Sequence, residues 1–251
     1  MFLQYFMLHG LVDSKGVRNL FKTCCERYSQ PLSSDEAGRM QQLANFVITI
    51  NRNIRPFHLT IRKGFDEDDS TCFYCLVNTC DSPITRLSSD YTVNELELFK
   101  LFLGSIMMTD DAAIGSVEAL NLTASLEKSM SRDDAQRFYE RMVKNKWLKK
   151  SSRGELSLST RSILELDPLI HSMYPEVARQ CNICSRLCLR GQTCNNCQIK
   201  LHLYCANRYF KNRESHTCPN CSQEWHHSVP SRESSRRGES NFNTTLDDTS
   251  V

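Results

Sequence analysis

The sequence predicts an α+β fold: three helical segments followed by two short alternating segments, the same order repeated once, and then four Cys/His pairs within 41 residues. The repeat defines two units of three helices closed by a β-hairpin, and the pairs define a small finger in which ligands replace an apolar core. Boundaries are expected at 1–88 and 89–176 for the units, 177–226 for the finger and 227–251 for a tail. The tail is Ser, Arg, Asn, Thr and Asp with almost nothing apolar, so burial cannot offset the entropy of ordering it and it is expected to be disordered.

In the first unit, Met1 to Gly10 reads as an apolar helix rather than a signal, because no basic flank precedes it and Asp13, Lys15 and Arg18 end it. Val17, Leu20 and Phe21 mark a second helix, and Pro31 separates it from a third. Ser33 to Glu36 has capping-box spacing, and Met40, Leu43, Phe46, Val47, Ile50 and Ile54 recur at the helical period, so one face must be buried. Phe57, Leu59 and Ile61 alternate as one strand, Cys72 to Val77 forms the return, and an acidic turn over Gly64 to Ser70 joins them.

The second unit repeats the order. Thr92 to Glu95 caps a helix carrying Leu96, Phe99, Leu103 and Ile106, a short helix covers Ser116 to Leu122, and Ser131 to Asp134 opens a third. Trp147 to Lys150 and Glu155 to Ser159 are the strands around the turn 151–154, a last helix spans Arg161 to Tyr174, and Pro175 breaks it. Three helices and a two-stranded wing, twice, predict tandem winged-helix domains.

Charge and length exclude several classes. Lys plus Arg (31) nearly balances Asp plus Glu (29), so the whole chain carries no basic excess that would argue for nucleic acid. No run approaches the roughly 18 apolar residues that span a bilayer, so no membrane role is expected. Thirteen cysteines, eight of them within Cys181 to Cys221, argue for metal rather than disulfides and for a reducing compartment.

The ligand pattern is Cys181-x2-Cys184, Cys194-x2-Cys197, His202-x2-Cys205 and Cys218-x2-Cys221. Two residues between ligands fit a tight knuckle, and eight ligands suffice for two closed tetrahedral sites, hence two Zn²⁺ with no position left for a reactive water. An interleaved, cross-brace pairing would join Cys181 and Cys184 with His202 and Cys205, and Cys194 and Cys197 with Cys218 and Cys221; spacing leaves that pairing open. Metal binding would supply on the order of 10 kcal/mol or more of folding free energy per ion. Cys188 and His216 are nearby competitors, read as bystanders, and the Cys72-x2-Cys75 pair lies in a strand whose residues three apart face opposite ways. With Cys24, Cys25 and Cys80, it is read as packing.

The segment CNICSRLCLRGQTCNNCQIKLHLYCANRYFKNRESHTCPNCSQEW, with the upstream NKWL before a hairpin and YPEVARQCNIC, resembles the non-SMC element one family, the RING-like subunit of the SMC five/six chromosome-maintenance complex. The resemblance covers almost the whole chain and implies two winged-helix domains followed by a variant RING with histidine at the fifth ligand. It implies a RING-type ubiquitin ligase in the nucleus, on chromosomes, serving DNA repair and recombination with a MAGE-type winged-helix partner and the other subunits of that complex. Such a ligase positions a ubiquitin-conjugating enzyme and needs no catalytic nucleophile or small-molecule substrate. RINGs contact that enzyme through an aliphatic residue in the first pair and a proline in the last, positions held here by Ile183 and Pro219. Ser222 departs from the cation that many active RINGs carry after the eighth ligand, which puts activity of the isolated finger in doubt. The alternative is a non-catalytic interaction module. A PHD finger shares the Cys-x4-His-x2-Cys spacing but usually has tryptophan two residues before the seventh ligand, where this chain has His216.

For DNA, Arg137, Arg141 and Lys144 fall on one face of the second unit's third helix, with Lys149, Lys150 and Arg153 in its wing. The competing reading is a solvated basic face, partly neutralised by Asp133, Asp134 and Glu140. In the first unit, Asp66 to Asp69 would repel phosphate, so protein binding is expected there.

Overall fold

The computed structural model describes residues 1–79, 90–211, 213 and 215–228. Cys80, the boundary expected at 88/89 and the tail from residue 229 onward lie outside the described residues.

The first unit runs α1 (Phe2–His9), β1 (Leu11–Asp13), α2 (Ser14–Arg27), α3 (Glu36–Ile54), β2 (Leu59–Phe65) and β3 (Cys72–Asn78). Its antiparallel sheet has the order β1-β3-β2, with Leu11 opposite Cys75 and Ile61 opposite Leu76. The apolar stripe of α3 buries Leu43, Val47 and Ile54 against Phe2, Phe6, Val17 and Phe21, while Met40 at the helix start stays 37% exposed. Two details depart from the sequence reading. Asp35 caps α3 by accepting from the Gly38 N–H at 2.9 Å, because the helix begins at Glu36 and Ser33 lies too early to reach its amides. Phe57 is not in a strand: Pro56 fixes a 3₁₀ turn over Arg55–Phe57, which leaves the ring 72% exposed.

The second unit runs α4 (Val93–Met108), β4 (Ala113–Gly115), α5 (Ser116–Asn121), α6 (Arg132–Lys144), β5 (Leu148–Lys150), β6 (Glu155–Leu158) and α7 (Thr160–Met173). Thr92 forms the expected capping box with Glu95, and the sheet order is β4-β6-β5. Leu98, Phe99, Phe102, Leu103, Ile106 and Met142 are fully buried there. In both units the short strand between the first two helices, β1 or β4, was invisible to periodicity: three residues are too few for alternation to register.

Helix α7 joins the units, with Leu164 packing on Cys75 and Val77 of β3. Pro168 sits inside this helix and has no N–H to offer the Leu164 carbonyl one turn earlier. Arg62 of β2 supplies the missing donor, its Nη1 lying 3.2 Å from that oxygen. Strand and helix come so close that a Cβ on Gly64 would lie 2.8 Å from Leu164 Cδ1, so a side chain there would push Leu164 aside.

The finger contains β7 (Gln192–Thr193), β8 (Lys200–Leu201) and α8 (Leu203–Phe210). Leu187 and Leu189, between the first two ligand pairs, belong to the second unit's apolar cluster, so the finger is docked on that unit. His227 and Ser228, assigned to the tail, are ordered against β7: His227 Nε2 lies 2.7 Å from the Thr193 carbonyl and the Ser228 carbonyl accepts from Gln192.

Candidate metal centres

Three of the four ligand pairs are the same local structure. The N–H of Ser185, Gln198 and Ser222 donates to the carbonyl of Cys181, Cys194 and Cys218 at 2.8 to 3.0 Å. Each donor follows a pair's second cysteine and takes a left-handed φ of 55° to 60°. That turn aims both thiols of a pair inward. The fourth pair is built differently, with His202 as the N-cap of α8 and Cys205 in its first turn.

The ligand atoms converge in two groups, Cys181, Cys184, His202 and Cys205, and Cys194, Cys197, Cys218 and Cys221, each within 4.8 Å of one another. The pairs therefore interleave along the chain. His202 Nδ1 lies 3.4 Å from Cys184 Sγ and 3.9 Å from Cys205 Sγ. In the second group Cys194 and Cys221 sulfurs are 3.7 Å apart, and Cys197 and Cys218 sulfurs 3.6 Å. A tetrahedral ion with metal–sulfur bonds of about 2.3 Å requires sulfurs ~3.8 Å apart, so both groups fit one ion each.

The electrostatics point the same way. The Cys181 thiol is held well below its ordinary range by hydrogen bonds from Cys184 and Cys205, while the Cys205 thiol is raised by its hydrogen bonds with Cys181 and Cys184. Burial pushes the Cys218 thiol up to about 12, and hydrogen bonds from the Asn220 side chain and the Ile199 backbone bring Cys197 down to about 6. Crowded thiols that shift apart in this way cannot all ionise alone, and a divalent cation resolves the conflict by holding every one as thiolate.

Neither competitor ligand joins these groups. His216 packs at a tilt on Phe210, with 4.9 Å between ring centres, and Trp225, 4% exposed, packs on the same ring and donates to Gln192. Cys188 is fully buried, its thiol raised by desolvation, and lies 3.6 Å from the Arg190 carbonyl. It also falls within reach of Glu67 and His202. In the first unit, Cys24 and Cys25 are buried, and burial pushes the Cys75 thiol up to about 12, as suits packing residues.

Ile183 is 40% exposed and borders a cleft of about 1250 Å³, whose other walls are β2, α7 and the α8 residues Tyr204, Arg208 and Tyr209. Pro219 lies half-buried in the last knuckle.

The acidic turn is where the sequence reading missed most. The carboxylates of Asp66, Glu67 and Asp68 meet partners elsewhere in the protein. Lys149 Nζ lies 2.7 Å from Asp66 and 2.8 Å from Asp68, and Arg190 lies 2.6 Å from Asp68. Burial works against the Lys149 ammonium, but the hydrogen bonds it donates to Asp66 and Asp68 outweigh it and raise its pKa. Beside them Arg186 donates to the Lys63 carbonyl at 2.6 Å, and Phe65 stacks on Tyr204 with ring centres 3.9 Å apart. The basic residues considered for DNA are partly engaged in the same way: Arg137 pairs with Asp134, Arg141 with Glu95 and the Tyr91 face, and Lys150 sits over Tyr139. Lys144 and Arg153 are exposed, and among the described residues neither has an acidic partner in ion-pair range. A clasp between residues more than eighty positions apart leaves no local pattern, so no motif could have announced it.

Two interleaved four-ligand centres in a short finger, carried behind a repeated helix-and-hairpin unit, define a RING-like protein. A model of the RING-like domain matches residues 181–221. The model of the Nse1 non-SMC component of the SMC5-6 complex matches residues 1–166, and the chain belongs to that family. It is 38% identical over 230 residues to the non-structural maintenance of chromosomes element 1 homolog of Xenopus laevis, covering 91% of this chain and 83% of the relative. The Homo sapiens homolog is 33% identical over the same share of this chain and 84% of its own. A chain of a solved Nse1-Nse3-Nse4 complex superposes with a TM-score of 0.77 at 38% identity, covering 91% of this chain and 96% of that one. Among the described residues, no helix is long and apolar enough to cross a membrane.

Proposed function

We propose that this chain is a zinc-dependent, RING-type ubiquitin ligase subunit of the SMC5-6 complex, acting in the nucleus on chromosomes in DNA repair and recombination. The observation that carries the reading is the pair of complete four-ligand groups beside an exposed Ile183. Each centre would hold one Zn²⁺ with no open position, so the metal shapes a surface and takes no part in bond making. Ile183 and Pro219 would meet the ubiquitin-conjugating enzyme, and the finger would raise the rate by holding that enzyme's thioester in a reactive pose. No side chain of this chain is required as nucleophile or base.

Both repeated units are read as winged helices, each with its sheet order of short strand, last strand, first wing strand. A MAGE-type subunit would dock on the first unit, where Met7 and Leu8 of α1 are 64% and 80% exposed. DNA contact by the second unit would rest on its basic face of Arg137, Arg141, Lys144, Lys149, Lys150 and Arg153. Lys144 and Arg153 would contribute most, because Lys149 is already shared between Asp66 and Asp68.

A second reading, a finger that only braces the assembly, is favoured by Ser222 in place of a cation after the last ligand and by the docking of Leu187 and Leu189. Discharge of ubiquitin from a charged conjugating enzyme, with and without the MAGE-type subunit, separates the two. Stimulation that Ile183→Ala abolishes is expected; no stimulation under either condition leaves the bracing role.

A further inference from the structure

Glu67 lies in the turn between β2 and β3 of the first unit, with its side chain only 5% exposed. No lysine or arginine pairs with it among the described residues. Instead its oxygens accept from the backbone N–H of Leu189 at 2.9 Å and of Arg190 at 3.1 Å, which fixes the finger loop between the first two ligand pairs. Oε1 also lies 3.4 Å from Nε2 of His202. That Nε2 is 2.9 Å from the carbonyl of Leu187, in the same loop, while Nδ1 faces the sulfurs of the first group.

An imidazole ligates well only in one tautomer and one ring orientation, and both are set by what the other ring nitrogen donates to. Here that nitrogen has two acceptors, the Leu187 carbonyl and Glu67. The first is held in place by the loop that the second anchors. We infer that Glu67 is a positioning residue for the first metal centre, aligning His202 both directly and through the Leu187–Arg190 loop, so that a side chain of the first helical unit sets the finger's grip on one of its two ions. The neighbouring carboxylate Asp68 has a different task, since it touches Lys149 and Arg190 but not the imidazole. Cys188, the third member of this small group, is read as packing: it is fully buried and its Sγ lies 3.6 Å from the Arg190 carbonyl.

The inference rests on the reading that both centres hold zinc, and the experiment separates the two. Metal content of the full-length chain is measured first. Cadmium is then substituted, and the three-sulfur and four-sulfur sites are followed as separate NMR resonances during competition with a chelator. Glu67→Gln is expected to weaken the three-sulfur site about 10- to 100-fold and leave the four-sulfur site unchanged. Asp68→Asn, which loosens the clasp without touching His202, is expected to change neither. In the wild-type protein, ring-nitrogen NMR is expected to show His202 protonated at Nε2 with slow proton exchange, a readout that survives even if the variant fails to fold. Equal affinities in wild type and Glu67→Gln, equal losses at both sites, the same loss in Asp68→Asn, or a proton on Nδ1 would each overturn the proposal. A wild-type chain without zinc would overturn it together with the reading beneath it.

Discussion

The second helical unit and the finger sit against each other but are held together by opposite means. The unit buries a contiguous apolar cluster, with Phe99, Phe102, Leu103, Ile106 and Phe138 at 0 to 1% exposure. The finger's interior is mostly ligand sulfur, with Leu201, Phe210 and Trp225 as its main buried apolar side chains. The difference teaches that a single chain can draw its stability from solvent exclusion in one region and from coordination in the next. Each region therefore fails under a different insult.

The sharpest way to break the contrast is to remove the metal. Chelation is expected to unfold the finger outright, with a loss on the order of 10 kcal/mol per ion, while the second unit keeps its fold. The two tryptophans report separately, because Trp225 lies in the finger and Trp147 in the unit's core. Fluorescence of a Trp147→Phe chain should change on chelation, and that of a Trp225→Phe chain should not.

The converse is Phe99→Ala. Truncating that fully buried ring is expected to cost about 3 to 5 kcal/mol in denaturant unfolding of the second unit while zinc content stays unchanged. A finer test compares two buried cysteines. Cys194→Ser should remove one zinc equivalent in elemental analysis, whereas Cys188→Ser should keep both and cost about 1 kcal/mol through packing.

The smallest effect belongs to the clasp. A double-mutant cycle between Lys149→Ala and Asp66→Ala should give a coupling of about 1 kcal/mol, because Lys149 keeps a third of its side chain in water. The Lys149 pKa is raised, so this contribution is complete below the ordinary 10.5 and fades only as pH rises through the raised value. Coupling that vanished between pH 7 and 9 would contradict the assignment.

Sequence legibility followed the same divide between local and distant causes. The capping box at Thr92, the stripe along α3 and the four ligand pairs are written in residues a few positions apart, and all were readable. The strands β1 and β4 were lost because three residues carry no period. Phe57 was misplaced because an alternating pattern counts hydrophobicity and ignores the proline beside it. Glu67 and its neighbours were read by charge alone as repelling phosphate, since their partners are finger residues and a lysine of the other unit.

Pro168 also shapes the contact between the two units. By withholding an amide, it leaves the Leu164 carbonyl available to a guanidinium on another element, and Arg62 uses that vacancy. That hydrogen bond adds a directional contact to the apolar packing of Leu164 on β3. Any assembly partner that swings one unit against the other must break that contact and find the oxygen a new donor, from protein or from water.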